Sequence, residues 1–155
     1  MNARVATAAR SDAVDELAHA LPERIWLLGR LFWRRGQRDI TRTEAGLLNS
    51  LSEGPRRITE LAELEGLAQP TVTLLVGRLE ERGWVTRERD PDDRRAVLVS
   101  ANESGITALE QLRSESRAMM HEHISAMRDH EVDSLIAATD ALGALVETIQ
   151  QGGER

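Results

Sequence analysis

Apolar residues recur every three or four positions from residue 11 to about 35: Val14, Leu17, Ala18, Leu21, Ile25, Leu28 and Phe32. That spacing lines one face of a helix. Pro22 lies inside the run, where its missing N–H and fixed φ predict a kink or a fresh helix start, and Gly36 predicts the end. The next stretch opens on Thr41-Arg42-Thr43-Glu44, a capping box in which Thr41 caps the helix and Glu44 reaches back. Leu47, Leu48 and Leu51 follow as its stripe, and Gly54-Pro55 stops it. A short third helix is expected from near Thr59, with Leu61, Ala62 and Leu64 as apolar positions, Ile58 as a hydrophobic staple and Gly66 as terminator. A fourth spans about 69–82. Pro70 occupies its first turn, Val72, Leu75, Val76 and Leu79 form its stripe, and Gly83 closes it.

The period then changes from helical to alternating. Residues 84–87 and 96–100 are short and β-rich, and they flank the polar loop Asp90-Pro91-Asp92-Asp93-Arg94, which predicts a two-stranded hairpin with a charged tip. Two long helices complete the chain. Asn102 is a good cap for the first, with Ile106, Leu109, Leu112, Met119 and Met127 in its stripe. Asp129 is expected to cap the second, with Val132, Leu135, Ile136, Leu142, Val146 and Ile149, and residues 151–155 are expected to fray. In an isolated chain the end helices would leave long apolar stripes in water, so they are expected to interlock two copies.

Three short helices followed by a hairpin is the layout of a winged helix-turn-helix. A helix fits the major groove of B-DNA, and the helix before it braces against the backbone and sets its angle. A neighbouring hairpin can carry arginine into the adjacent minor groove, where narrow A·T-rich DNA concentrates negative potential. The short turn 65–68 would separate the bracing helix from the reading helix. The solvent face of the reading helix then carries Gln69, Thr71, Thr73 and Arg78, side chains able to hydrogen-bond base edges or phosphates, although a merely solvated surface would look the same. Arg87, Arg89, Arg94 and Arg95 cluster on the hairpin among Asp90, Asp92 and Asp93; a solvated salt-bridge loop is the competing reading, and Asp93 is expected to hold the Arg95 guanidinium in one pose.

Net charge, −6 over 155 residues, looks unsuited to DNA until it is divided along the chain. Residues 101–155 hold ten acids against four arginines, whereas 23–100 hold thirteen acids against fourteen arginines. Every basic residue apart from histidine is arginine, the better fork for phosphate and guanine, although a biased genome would produce the same usage. With 41% hydrophobic and 30% charged residues, the composition fits a folded protein. No apolar run approaches the roughly 20 residues of a membrane span, and the first ten residues lack the apolar core of a secretory signal. Cysteine is absent, which excludes disulfides and thiolate metal sites and points to the cytoplasm. His121 and His123, two apart on a helix, face different ways and make a poor metal pair, and His19 and His130 are isolated. No nucleophile–base set and no phosphate-cradling glycine loop occurs, so neither an enzyme nor a cofactor is expected.

The stretch Ile58-Thr-Glu-Leu-Ala, Gln69-Pro-Thr-Val-Thr, Arg78-Leu-Glu-Glu-Arg-Gly-Trp-Val85 and then Arg89-Asp-Pro-Asp-Asp-Arg-Arg95 resembles the MarR family of bacterial regulators. Asp93-Arg94-Arg95 is similar to that family's Asp-x-Arg wing motif, and the specific likeness runs over about 40–105. The resemblance implies a mainly α fold: a winged helix-turn-helix over 37–101, flanked by dimerisation helices over 1–36 and 102–151, with a tail at 152–155. It further implies a homodimeric transcriptional regulator, a repressor, on a pseudo-palindromic double-stranded operator. Gln69, Pro70, Thr71, Thr73, Leu74, Arg78, Arg89, Asp93, Arg94 and Arg95 would be its DNA-binding residues. Two positions depart from the family: Ala68 replaces the usual capping serine, and Leu74 stands where arginine is common, implying a more apolar readout. In that family, aromatic acids and related small molecules often bind a cleft between the dimerisation helices and the DNA-binding domain. Arg30, Arg34 or Arg35 beside Trp33 would pair with such a small aromatic or anionic effector, whereas dimer-core packing is the plainer role for Trp26 and Trp33, seven residues apart. A winged helix that binds protein, or a ligand-binding dimer without operator affinity, are the rival functions.

Overall fold

A computed structural model of the chain describes residues 2–34, 40–93 and 95–152, with side chains at 8–33, 40–93 and 95–152. Gly36, Arg35 and Arg94, and the side chain of Arg34, lie outside the described residues. The elements run α1 (Asn2–Arg34), α2 (Arg42–Ser52), β1 (Arg56–Arg57), α3 (Ile58–Glu65), α4 (Gln69–Glu81), β2 (Val85–Arg89), β3 (Val97–Ala101), α5 (Glu103–Ser125) and α6 (Asp129–Gly152). The chain divides into two compact units, Met1–Leu109 and Glu110–Arg155.

In the first unit the buried leucines and valines of the short helices meet the inner face of a small sheet, while Leu64 of α3, expected in its stripe, is exposed. Leu47, Leu48 and Leu51 from α2, Leu61 from α3, and Val72, Leu75, Val76 and Leu79 from α4 pack with Val85, Val99 and Leu109. The α2 capping box forms as expected. Glu44 N–H donates to Thr41 Oγ1 at 3.3 Å, and Thr41 N–H donates to Glu44 Oε2 at 2.8 Å. The Glu44 carboxylate is buried and also faces Arg82 Nη1 at 3.6 Å, which ties the start of α2 to the end of α4. Helix α3 begins one residue earlier than its apolar pattern predicts: Ile58 is its first residue, and Glu60 accepts the N–H of Arg57 at 3.0 Å. Gly66 adopts φ 63°, ψ 34°, so that Leu67 N–H can return to the Ala62 carbonyl at 2.9 Å. Ser50 Oγ donates to Glu65 Oε1 at 2.8 Å and braces α2 against α3.

The hairpin β2–β3 forms with Val85 opposite Ala101 and Arg89 opposite Val97, and a third strand is added to it. Residues 56–57, too short and too charged to read as a strand, pair antiparallel with β3, giving the sheet order β1-β3-β2. Asn102 caps α5 through Gly105 N–H at 3.0 Å, and its amide donates to the Gly83 carbonyl at 2.8 Å.

Helix α1 is continuous through Pro22, without the restart allowed for at that position, and Val14, Leu17, Ile25, Trp26 and Leu28 are each more than half exposed. In the second unit, α6 starts at Asp129, which is therefore its first helical residue and not its cap. The capping role passes to the Arg128–Glu131 pair, where Arg128 N–H donates to Glu131 Oε2 at 3.1 Å. No described residue of α6 is buried, and Ile136, Val146 and Ile149 stand more than half exposed. Among the described residues no helix is long and apolar enough to cross a membrane.

Candidate nucleic-acid interface

Helix α4 starts without a side-chain cap. Ala68 lies extended at φ −67°, ψ 137°, and its carbonyl accepts the N–H groups of Thr71 and Val72 at 2.9 and 3.2 Å. The periodicity that buries Val72, Leu75, Val76 and Leu79 turns Gln69, Pro70, Thr71, Thr73, Leu74 and Arg78 to the exterior. Thr73 Oγ1 donates to the Gln69 carbonyl at 3.0 Å, so this hydroxyl is already oriented along the helix. At the other end Gly83, with φ 71°, lets Trp84 N–H return to the Leu79 carbonyl at 2.9 Å. Trp84 itself packs on the hydrophobic core, with the Arg82 guanidinium 5.1 Å from its ring centroid.

Beside α4, the turn between β2 and β3 is organised by Asp90. Its carboxylate is buried, and Oδ1 accepts Asp92 N–H at 2.8 Å and Asp93 N–H at 3.4 Å. Oδ2 accepts Arg57 Nε at 2.6 Å. The residue just before α3 therefore fastens the wing turn to the helical part of the lobe. Asp93 differs from expectation: its Oδ1 accepts the backbone N–H of Arg95 at 3.0 Å, shaping the turn, and no ion pair joins the two side chains among the described residues. A two-residue separation places a carboxylate within reach of the backbone N–H sooner than of a long guanidinium.

Arg87 forms the second link. Its guanidinium crosses α4 where Gly77 has no side chain; a Cβ there would sit 3.3 Å from Arg87 Nη2. Nη2 reaches the Thr73 carbonyl at 3.4 Å, and Nε lies 3.0 Å from Glu80 Oε2, a charge contact off hydrogen-bond geometry. Between helix and wing these residues enclose an open cleft of about 430 Å³, with Gln69 and Thr73 from α4, Asp93 and Arg95 from the wing, and Arg57 and Arg87 at its walls. Pro70, Thr71, Leu74 and Arg78 lie on the outer face of α4, and Arg89 ends β2, all exposed and outside the cleft lining.

Six arginines around α4 and the wing fall into two groups, beside Arg56, which pairs with Glu53 at 3.2 Å. Arg57, Arg82 and Arg87 are engaged by Asp90, Glu44 and Glu80. Arg78, Arg89 and Arg95 are exposed and have no acidic partner within 4 Å among the described residues. In α1, Arg30 lies over the ring of Trp26 at 4.7 Å, and Trp33 meets Phe32 edge-on with centroids 6.0 Å apart.

The Asp92 N–H, the Arg57 guanidinium and the Asp93 N–H hold the Asp90 carboxyl below the usual carboxylate range, against the opposing effect of burial. Hydrogen bonding and charge from Asp90 raise Arg57 in turn. A carboxyl depressed in the folded state lends stability that is fully present above its unfolded pKa and is lost as pH falls through the folded one. The wing turn is therefore expected to stay fastened at pH 5 and to loosen only below the ordinary aspartate value of about 3.9. Amide shifts of Asp92 and Asp93 followed by NMR should titrate with a midpoint below that value; a midpoint at or above it contradicts the assignment.

Residues 40–97, from the lead-in to α2 to the start of β3, match the model of the MarR family. An HTH-type transcriptional regulator of Mycobacterium bovis is 30% identical over 138 residues, covering 88% of this chain and 96% of its own. The chain belongs to the MarR family. A crystal structure of a transcriptional regulator from Thermotoga maritima superposes with a TM-score of 0.67 at 28% identity, over 86% of this chain and 96% of that one. The transcriptional repressor MdtR of Bacillus subtilis is 26% identical over 70% of this chain and 71% of its own. This MarR-family chain is thus a transcriptional regulator with a helix-turn-helix and wing, from a family whose members bind DNA as dimers and in some cases bind small ligands.

Proposed function

We propose that two copies of the chain bind a pseudo-palindromic operator in the cytoplasm and repress the promoter it overlaps. Each copy inserts α4 into the major groove and sets its wing against the neighbouring minor groove, so that the two reading helices lie about 34 Å apart. What carries this reading is the division among the arginines: Arg57, Arg82 and Arg87 are paired with acids of the lobe, whereas Arg78, Arg89 and Arg95 have no acidic partner among the described residues. Gln69, Pro70, Thr71, Thr73, Leu74 and Arg78 would face the major groove, and Arg89, Asp93, Arg94 and Arg95 would place the wing. The exposed apolar rows of α1 and α6 support pairing of two copies through the end helices. An aromatic or anionic effector near Arg30, Trp33 and Arg34 would shift the spacing of the two lobes and release the operator.

Selection of bound sequences from a random DNA pool tests the core of this reading, and a dyad-symmetric site is the expected product. Arg95→Ala should weaken binding to that site and reduce the salt slope by about one for each half-site. An unchanged affinity removes Arg95 from the interface, and a pool without enrichment removes operator binding altogether.

A further inference from the structure

We infer that Leu74 reads the C5 methyl group of a thymine in each operator half-site. The inference rests on the proposed entry of α4 into the major groove and names the base that the centre of the helix recognises. Successive turns of α4 bring Pro70, Leu74 and Arg78 into one row, each four residues from the next, while Val72, Leu75, Val76 and Leu79 are spent on the protein core. Leu74 is 58% exposed and takes no part in that core. A single exposed leucine means little by itself. This one stands between a proline and an arginine without an acidic partner among the described residues, with exposed Thr71 and Thr73 beside it. Arg78, one turn further on, supplies the positive charge that a phosphate backbone would bind, and so fixes which surface can lie over the row.

The chemistry of the groove then selects the base. Guanine offers two acceptors there, adenine an acceptor and a donor, and cytosine a donor, and none of these is satisfied by a leucine. Thymine alone adds an apolar group, its methyl. Leucine over a G·C pair would strip water from polar edges and return no hydrogen bond, whereas leucine over a thymine buries apolar surface on both sides.

Uracil differs from thymine only by that methyl, so it separates this contact from every other feature of the site. In the selected operator, each thymine is replaced in turn by deoxyuridine, symmetrically in both half-sites, and affinity is measured at fixed salt by fluorescence anisotropy. One position per half-site should show a loss of about fourfold, the worth of one buried methyl, or about fifteenfold for the symmetric pair. The Leu74→Ala protein, whose fold is checked by its thermal transition, should bind more weakly and should no longer distinguish uracil from thymine at that position. Two results overturn the inference while leaving operator binding intact: uracil tolerated at every position by the wild type, or an equal uracil penalty in Leu74→Ala. A pool that yields no dyad-symmetric site defeats the operator reading, and this inference with it.

Discussion

Gly105→Ala is expected to be among the most damaging single substitutions in the chain, although it adds one methyl group to a helix. The first turn of α5 packs directly on the segment between α4 and the wing. Asn102 N–H donates to the Trp84 carbonyl at 3.1 Å, and Gly105, buried, lies so close that an added Cβ would stand 2.1 Å from that same carbonyl oxygen and 3.0 Å from its carbon. The obstacle is backbone, so no rotamer change relieves it. Either α5 must lift away or the strand entry must move, and Trp84 and Val85, which sit on the core, go with it. Helix propensity favours alanine over glycine by about 1 kcal/mol, which makes the expected sign diagnostic. We expect a net loss of about 3 kcal/mol or more, the upper end for overpacking, seen as a fall in Tm of about 6–12 °C at matched protein concentration. A variant as stable as the parent, or more so, would show that the close approach does not exist in solution.

The second large effect concerns salt. If Arg78, Arg89 and Arg95 of both copies each neutralise a phosphate, a bound dimer displaces about six condensed cations, and log Kobs should fall with log salt at a slope near −5. Between about 50 and 200 mM salt, operator affinity should then drop on the order of a thousandfold. Arg89→Ala, removing one such phosphate partner per chain, should flatten the slope by about two for the dimer. Fluorescence anisotropy across a salt series measures both quantities. A slope shallower than about −2 would mean that these arginines do not meet the backbone, and it would favour a winged helix whose partner is protein. The overall charge of −6 does not stand against the steep slope, because the excess acid lies in residues 101–155, whereas 23–100 hold thirteen acids against fourteen arginines.

Several elements were legible because their causes are local. Thr41 and Glu44 cap α2 through contacts three residues apart, Gly66 and Gly83 end their helices by adopting positive φ, and Asn102 caps α5. The stripe Val72, Leu75, Val76 and Leu79 follows from the helical period alone. Where reading failed, the deciding interaction was distant or the signal was two-valued. Arg56 and Arg57 become a strand only because β3 offers an edge, and nothing in an Arg-Arg pair announces that. Asp129 and Arg128 compete for one capping role, and the Glu131 carboxylate decides it by accepting the Arg128 N–H. Asp93 and Arg95 look like an ion pair by proximity, yet the backbone N–H is the nearer donor.

The chain's own order of residues determined the helices and the β2–β3 hairpin, the family and the face of α4 that turns outward, since each depends on spacings of two to four residues or on a contiguous motif. Tertiary structure alone decided which arginines are already engaged. Arg57 meets Asp90 across 33 positions, Arg82 meets Glu44 between two helices, and Arg87 crosses Gly77 to reach Glu80. A charge has no preferred partner until folding brings one within a few ångströms, because in water its attraction at longer range is screened away.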